Sequence, residues 1–110
     1  MFYRYIEMVI AVNSLAILKV EDIRAMVIPL LEKYDMRSAS LFGSYARNEA
    51  DENSDIDLLL EGNPGFRPLN LFGVAEDLFH LSGKRVDVFE ISELDEGEFR
   101  DRVLREAIRL

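Results

Sequence analysis

The sequence predicts a small α/β domain in which helices pack on a mixed β-sheet, and three observations carry that expectation. Short apolar runs alternate with amphipathic stretches along 110 residues, a length that supports one core and leaves no room for separate substrate-gripping domains. Clusters of glycine, serine, proline and acidic residues punctuate those runs where turns are needed. There is no cysteine, so neither disulfides nor a thiolate metal centre can stand in for a hydrophobic core.

In chain order, residues 1–19 are read as an N-terminal extension and residues 20–110 as the folded domain. The apolar run from Met8 to Leu18 is interrupted by Asn13 and Ser14 and bounded by Glu7 and Lys19, which leaves it short of a membrane span. Arg4 and Glu7 make no basic leader ahead of it. A packed extra helix or strand is the plainer expectation, and an apolar arm used against a partner is the sharper one. From Val20 to Tyr34, Ile23, Val27, Leu30, Leu31 and Tyr34 recur at helical spacing, with Glu21 and Asp22 in the first turn where the dipole favours acids. Pro29 is expected to kink this helix or restart it near Ile28.

Ala39 to Phe42 and Ile56 to Leu60 read as strands, and Arg85 to Phe89 as a third. Glu61 to Pro68, with two glycines and two prolines, is expected to be a loop. Asn70 to Leu81 follows as a helix with Leu71, Val74, Ala75, Leu78 and Leu81 on one face, ended by Ser82 and Gly83. The single histidine, His80, has no second histidine with which to share a metal and is read as structural or surface. Lys84 and Arg85, at the turn into the third strand, have two readings, a place near phosphate or, as the plainer expectation, solvation. Glu98 to Leu110 is an amphipathic pattern, with Phe99, Val103, Ala107 and Leu110 on one side, and is expected to be a terminal helix.

Composition also narrows function. With 13 Lys and Arg against 21 Asp and Glu the net charge is −8, whereas a protein that tracks a nucleic-acid backbone normally carries a basic excess. Direct nucleic-acid binding is therefore not expected, nor is a membrane.

The chemistry concentrates between the first two strands. Gly43 at a strand exit lets a backbone approach an anion, and the amides at Ser44 and Tyr45 open a short helix whose unpaired N–H groups suit phosphate. After Ser44 and ten intervening residues come Asp55 and Asp57, two apart, so strand alternation puts both carboxylates on one face while Ile56, Leu58 and Leu60 point the other way. Two carboxylates so close repel unless a cation lies between them, and hard oxygen ligands beside phosphates suit Mg2+. Arg47, on the same short helix, can reach phosphate or pair with Glu49 or Asp51.

GSYAR followed by SDIDLLL resembles the signature of the DNA polymerase beta-like nucleotidyltransferase superfamily, and is most similar to its minimal nucleotidyltransferase branch, the MntA-type antitoxins. The resemblance spans about Ile23 to Ile108, with its specific part between Phe42 and Asp87. It implies a nucleotidyltransferase fold, a small mixed sheet with about four helices. It also implies a third carboxylate on a later strand, and Asp87 in Arg85-Val86-Asp87-Val88-Phe89 is the match. One departure is Asn48, where many relatives have Gly; Asn tolerates positive φ better than most residues, so the turn is expected to survive.

The resemblance implies metal-dependent transfer of AMP from ATP to a tyrosine of a HEPN-type helical toxin, as the antitoxin of a type VII pair, in the cytoplasm. Asp55, Asp57 and Asp87 would hold two Mg2+ ions, Asp87 would also accept the proton of the attacking hydroxyl, and Gly43, Ser44 and Arg47 would bind the nucleotide. A hetero-oligomer is expected, with a homodimer as another possibility. Two further readings remain at this point: an antitoxin that masks its partner without catalysis, and the catalytic half of a two-chain enzyme acting on a small molecule such as an aminoglycoside.

Overall fold

Helix α1 (Val20–Lys33) starts where Asp22 Oδ2 accepts the Lys19 backbone N–H at 3.0 Å, and Ile23 and Val27 turn inward to complete burial. The computed structural model describes residues 16–110, so the expectations for residues 1–15 lie outside the described residues. Contrary to the expected restart near Ile28, α1 is one span through Pro29. Pro29 is exposed and so is Ala25, whose carbonyl loses its helical donor, so water can satisfy the vacated acceptor.

The strands are β1 (Met36–Phe42), β2 (Ile56–Gly62), β3 (Val86–Glu90) and β4 (Ile108–Arg109), in the spatial order β3-β2-β1-β4. β1 runs antiparallel to both β2 and β4, while β2 and β3 are parallel, which makes the sheet mixed as expected. The one-turn helix α2 (Gly43–Ala46) follows β1. Helix α3 (Leu69–Ser82) makes the crossover from β2 to β3 and ends on Gly83, whose φ of 72° is the left-handed conformation that closes a helix cheaply only with glycine. Helix α4 (Glu98–Glu106) lies near the C-terminus.

Strand alternation divides the core in two. Ile56, Leu58 and Leu60 point to the face covered by α1 and α3, joining Ile23, Val27, Val74 and Leu78 in the larger cluster. Lys33 Nζ and Tyr34 Oη both donate to Asp77 Oδ2 at 2.7 Å and tie α1 to α3 over that face. The other face carries a smaller cluster of Phe42, Leu59, Leu94 and Val103, with Phe89 and Ile91 against it. Among the described residues, α4 and the short turn Ile91–Glu93 with Leu94 cover this side.

Three further expectations are corrected. β2 continues through Glu61 to Gly62, so the loop is shorter than Glu61 to Pro68; the Gly62 N–H donates to Glu90 Oε1 at 3.2 Å and holds the strand end. The terminal helix stops at Glu106, and Ile108–Arg109 pairs with Ser40 and Leu41 instead, while the Leu110 N–H donates to the Ala39 carbonyl at 2.9 Å. The outer edge of β1 needed those hydrogen bonds more than the helix needed another turn. Lys84 is not solvated: it is 3% exposed, and Nζ donates to the Glu52 carbonyl at 2.8 Å, fastening the loop ahead of β2. His80 does stand at the surface, paired with Glu76 at 2.9 Å.

Candidate active site

At the end of the sheet where β2 and β3 begin, the register sets Phe42, Asp57 and Asp87 side by side on β1, β2 and β3. Neighbours across a sheet share a face, so both carboxylates emerge on the α4 side, below the small cluster formed by Phe42, Phe89 and Phe99. Asp55 lies one residue before β2, with the parity of Asp57. The chain turns directly from Phe42 into Gly43, so the entrance of α2 faces the carboxylates. Gly43 has φ of 73°, and a Cβ there would fall 2.2 Å from Asp57 Oδ2. Glycine is required at this position on both counts.

Asp57, Asp87 and Gly43 share a hollow of about 330 Å³ with Ser44, Arg47, Arg102 and Glu106, and Asp55 is not part of its lining. Asp87 also borders a wider hollow of about 680 Å³, walled by Phe72, Phe79 and Tyr34. Burial, then the neighbouring charges of Asp87 and Asp55, push the Asp57 carboxyl up to about 6. Arg47 pulls the other way and does not compensate. A carboxylate held at such cost is where a cation is most welcome.

Arg47 binds Glu49 at 3.0 Å, one of the two partners read from sequence, and not Asp51. Its second partner is Glu106, at 3.0 and 3.1 Å. Glu106 Oε2 also accepts the Gly43 N–H at 3.2 Å. Burial disfavours the charge on Glu106, but the hydrogen bonds from Arg47 and Gly43 outweigh it and hold the carboxyl below the usual range. Nothing in a single sequence connects Glu106 to Gly43, 63 positions away. Asn48, at the end of this segment, adopts φ of 59°, the positive value expected of it.

Oxygen donors beside an anion-binding backbone are the donor set that Mg2+ takes, and the raised Asp57 agrees with a site built for a cation. Among the described residues, however, no three acidic or histidine side chains converge closely enough to hold a metal unaided. Mg2+ commonly needs only one or two carboxylates when phosphate oxygens complete its shell, so the group fits this site together with a nucleotide.

The nucleotidyltransferase domain pattern matches residues 26–110, most of the chain and all of the site. The chain belongs to the nucleotidyltransferase domain family. Within it, the relatives are of the minimal, MntA type. This nucleotidyltransferase is 40% identical over 91 residues to a protein of Methanocaldococcus jannaschii described as a protein adenylyltransferase, covering 83% of this chain and 97% of the relative. It is 35% identical over 98 residues to the protein adenylyltransferase MntA of Thermococcus cleftensis, covering 86% and 98%. A solved structure described as a minimal nucleotidyltransferase superposes with a TM-score of 0.71 at 36% identity, over 84% of this chain and 97% of the other. An MNT antitoxin solved in complex with a tri-AMPylated Shewanella oneidensis HEPN toxin shares the fold, with a TM-score of 0.60 at 18% identity over 81% and 69%.

Among the described residues no helix is long and apolar enough to cross a membrane.

Proposed function

We propose that this nucleotidyltransferase transfers AMP from ATP to a tyrosine hydroxyl of a HEPN-type toxin, in the cytoplasm, as the antitoxin of a toxin–antitoxin pair. The observation that carries the reading is the row of Asp57 and Asp87 facing the Gly43 backbone in one hollow, with Asp57 raised to about 6. Such an arrangement has little use in a protein that only masks its partner. The acceptor and the pairing rest on relatives, namely the adenylyltransferases and the AMPylated HEPN complex.

Nucleotidyl transfer asks a protein for positioning and for charge placed where oxygens become more negative. Gly43 and Ser44 cradle the terminal phosphates through backbone and hydroxyl donors, and Arg47 adds a fixed positive charge beside them. Mg2+, held by one or two of Asp55, Asp57 and Asp87 at a time with triphosphate oxygens completing its shell, would neutralise the developing charge and lower the pKa of the incoming hydroxyl. Asp87 borders both hollows and takes the hydroxyl proton at their junction. The acceptor oxygen then forms its bond to the α-phosphorus, the bond to the bridging oxygen breaks, and diphosphate leaves. The acceptor approaches through the wider hollow, whose Phe72 and Phe79 suit an aromatic ring.

The test is a mass spectrum of the proposed HEPN partner after incubation with this protein, ATP and Mg2+, against the D55A/D57A variant. A gain of one or more AMP units on tyrosine, absent with the variant, is the expected result. An unmodified partner in a tight complex would replace catalysis by masking.

A further inference from the structure

Three features of the molecule are not used by the reaction as derived. Buried Glu90 accepts from the Gly62 and Ser92 backbones and is a structural cap. The exposed apolar side chains of α3, Leu69 and Phe72 foremost, border the acceptor hollow. Glu106 is different, because it stands inside the nucleotide hollow and uses the groups that the nucleotide needs.

We infer that Glu106 is an internal competitor for the phosphate position, a latch that closes the nucleotide hollow in the free protein and must swing away when the triphosphate enters. The inference rests on the nucleotide site proposed above. One oxygen of Glu106 accepts the Gly43 N–H at 3.2 Å, and the carboxylate accepts two contacts from Arg47 at 3.0 and 3.1 Å. A carboxylate on a backbone amide and a guanidinium presents the same oxygens and charge as one edge of a phosphate. Its side chain is only 17% exposed, whereas Glu49, the other partner of Arg47, is 64% exposed and lies at the rim. A purely structural ion pair would not need the Gly43 amide.

Charge explains why the latch opens. Glu106 is one more negative group beside Asp57, and its field adds to that of Asp87 and Asp55 in disfavouring the Asp57 carboxylate. Among the described residues this crowding is offset by Arg47, and Arg102 lines the same hollow. When a metal-bound triphosphate arrives, its terminal oxygens take Gly43 and Arg47, and Glu106 cannot stay against them without repulsion. The device also has a place in the fold. Glu106 is the last residue of α4, immediately before the short segment that pairs with β1, so rotation of one side chain at a helix end suffices.

The experiment is calorimetric titration of the full chain with AMP-PNP and Mg2+, for wild type, E106Q and E106A, with the amide resonance of Gly43 followed in parallel. A competitor that must release Gly43 and Arg47 is expected to weaken binding by about tenfold, so both variants should bind that much tighter. The Gly43 resonance should move in apo E106A, and it should move in wild type when AMP-PNP is added. Thermal melts identify a variant that has not folded, and the milder E106Q then carries the comparison. Equal or weaker binding by the variants, with wild type binding normally, would overturn the latch and leave the nucleotide site standing. No binding by wild type or by either variant would overturn the nucleotide site and the latch with it.

Discussion

Strand β2 shows two faces of one seven-residue segment doing opposite things. Toward α1 and α3 it sends Ile56, Leu58 and Leu60, each 0% exposed and packed on every side. Toward α4 it sends Asp57, half-buried beside two other acids, with its carboxyl pushed up to about 6. The first face stabilises the fold without touching the chemistry. The second gives stability away, which under the proposed function a cation and a nucleotide restore. The period of two along a strand lets both be built within neighbouring residues: the rigid face fixes where the strained one points.

The contrast can be broken from either side. The largest effect should come from D57A, which removes the central carboxylate of the row; AMP transfer is expected to fall at least about a thousandfold in a single-turnover assay, with the fold intact by circular dichroism. Next comes L58A on the opposite face, expected to cost about 3 kcal/mol in denaturant unfolding through the cavity it leaves. Molecules of that variant that remain folded should still bind AMP-PNP with wild-type affinity. G43A should act on the site rather than on the core. The positive φ and the clash with Asp57 together are expected to lower transfer about a hundredfold, and a wild-type rate would show that the strand exit is more forgiving than its geometry implies.

The smallest effect is the most revealing. The Asp57 carboxyl is raised from 3.8 in the unfolded chain to about 6 in the folded one, so the folded state holds this proton more tightly. Its stabilising contribution is complete below pH 4 and is lost as pH rises through about 6. Asp77, Glu90 and Glu106, all lowered in the folded state, respond in the opposite sense, so the melting curve of wild type alone mixes the two. The difference between wild type and D57N isolates Asp57. Without metal, D57N should be the more stable above pH 6 by about 1 to 2 kcal/mol, once the water still reaching the group is allowed for, and the gap should shrink toward pH 4.

Much of this arrangement is legible in the chain because the site is local. Gly43, Ser44, Asp55 and Asp57 lie within fifteen residues, on elements whose periodicity is plain, and Asn48 turns as its chemistry allows. Asp87 is placed by a parallel pairing with β2, and the resemblance supplied it where spacing alone would not. What the sequence hides is long-range. Ala107 and Leu110 continue a helical pattern, yet the open edge of β1 draws the tail into a strand. Lys84 reads as solvated because nothing nearby signals that the Glu52 carbonyl waits for it. Glu106 is invisible for the same reason: its partner Gly43 stands at a strand exit 63 positions earlier in the chain.

The most direct measurement is the melting temperature of wild type and D57N at pH 7.5, each with and without Mg2+ and AMP-PNP together. If Asp57 is a carboxylate destabilised in order to bind, wild type should start lower and rise by several degrees on addition of the pair, while D57N should start higher and respond little. A D57N variant that melts below wild type, or that gains as much from Mg2+ and AMP-PNP as wild type does, would contradict the account.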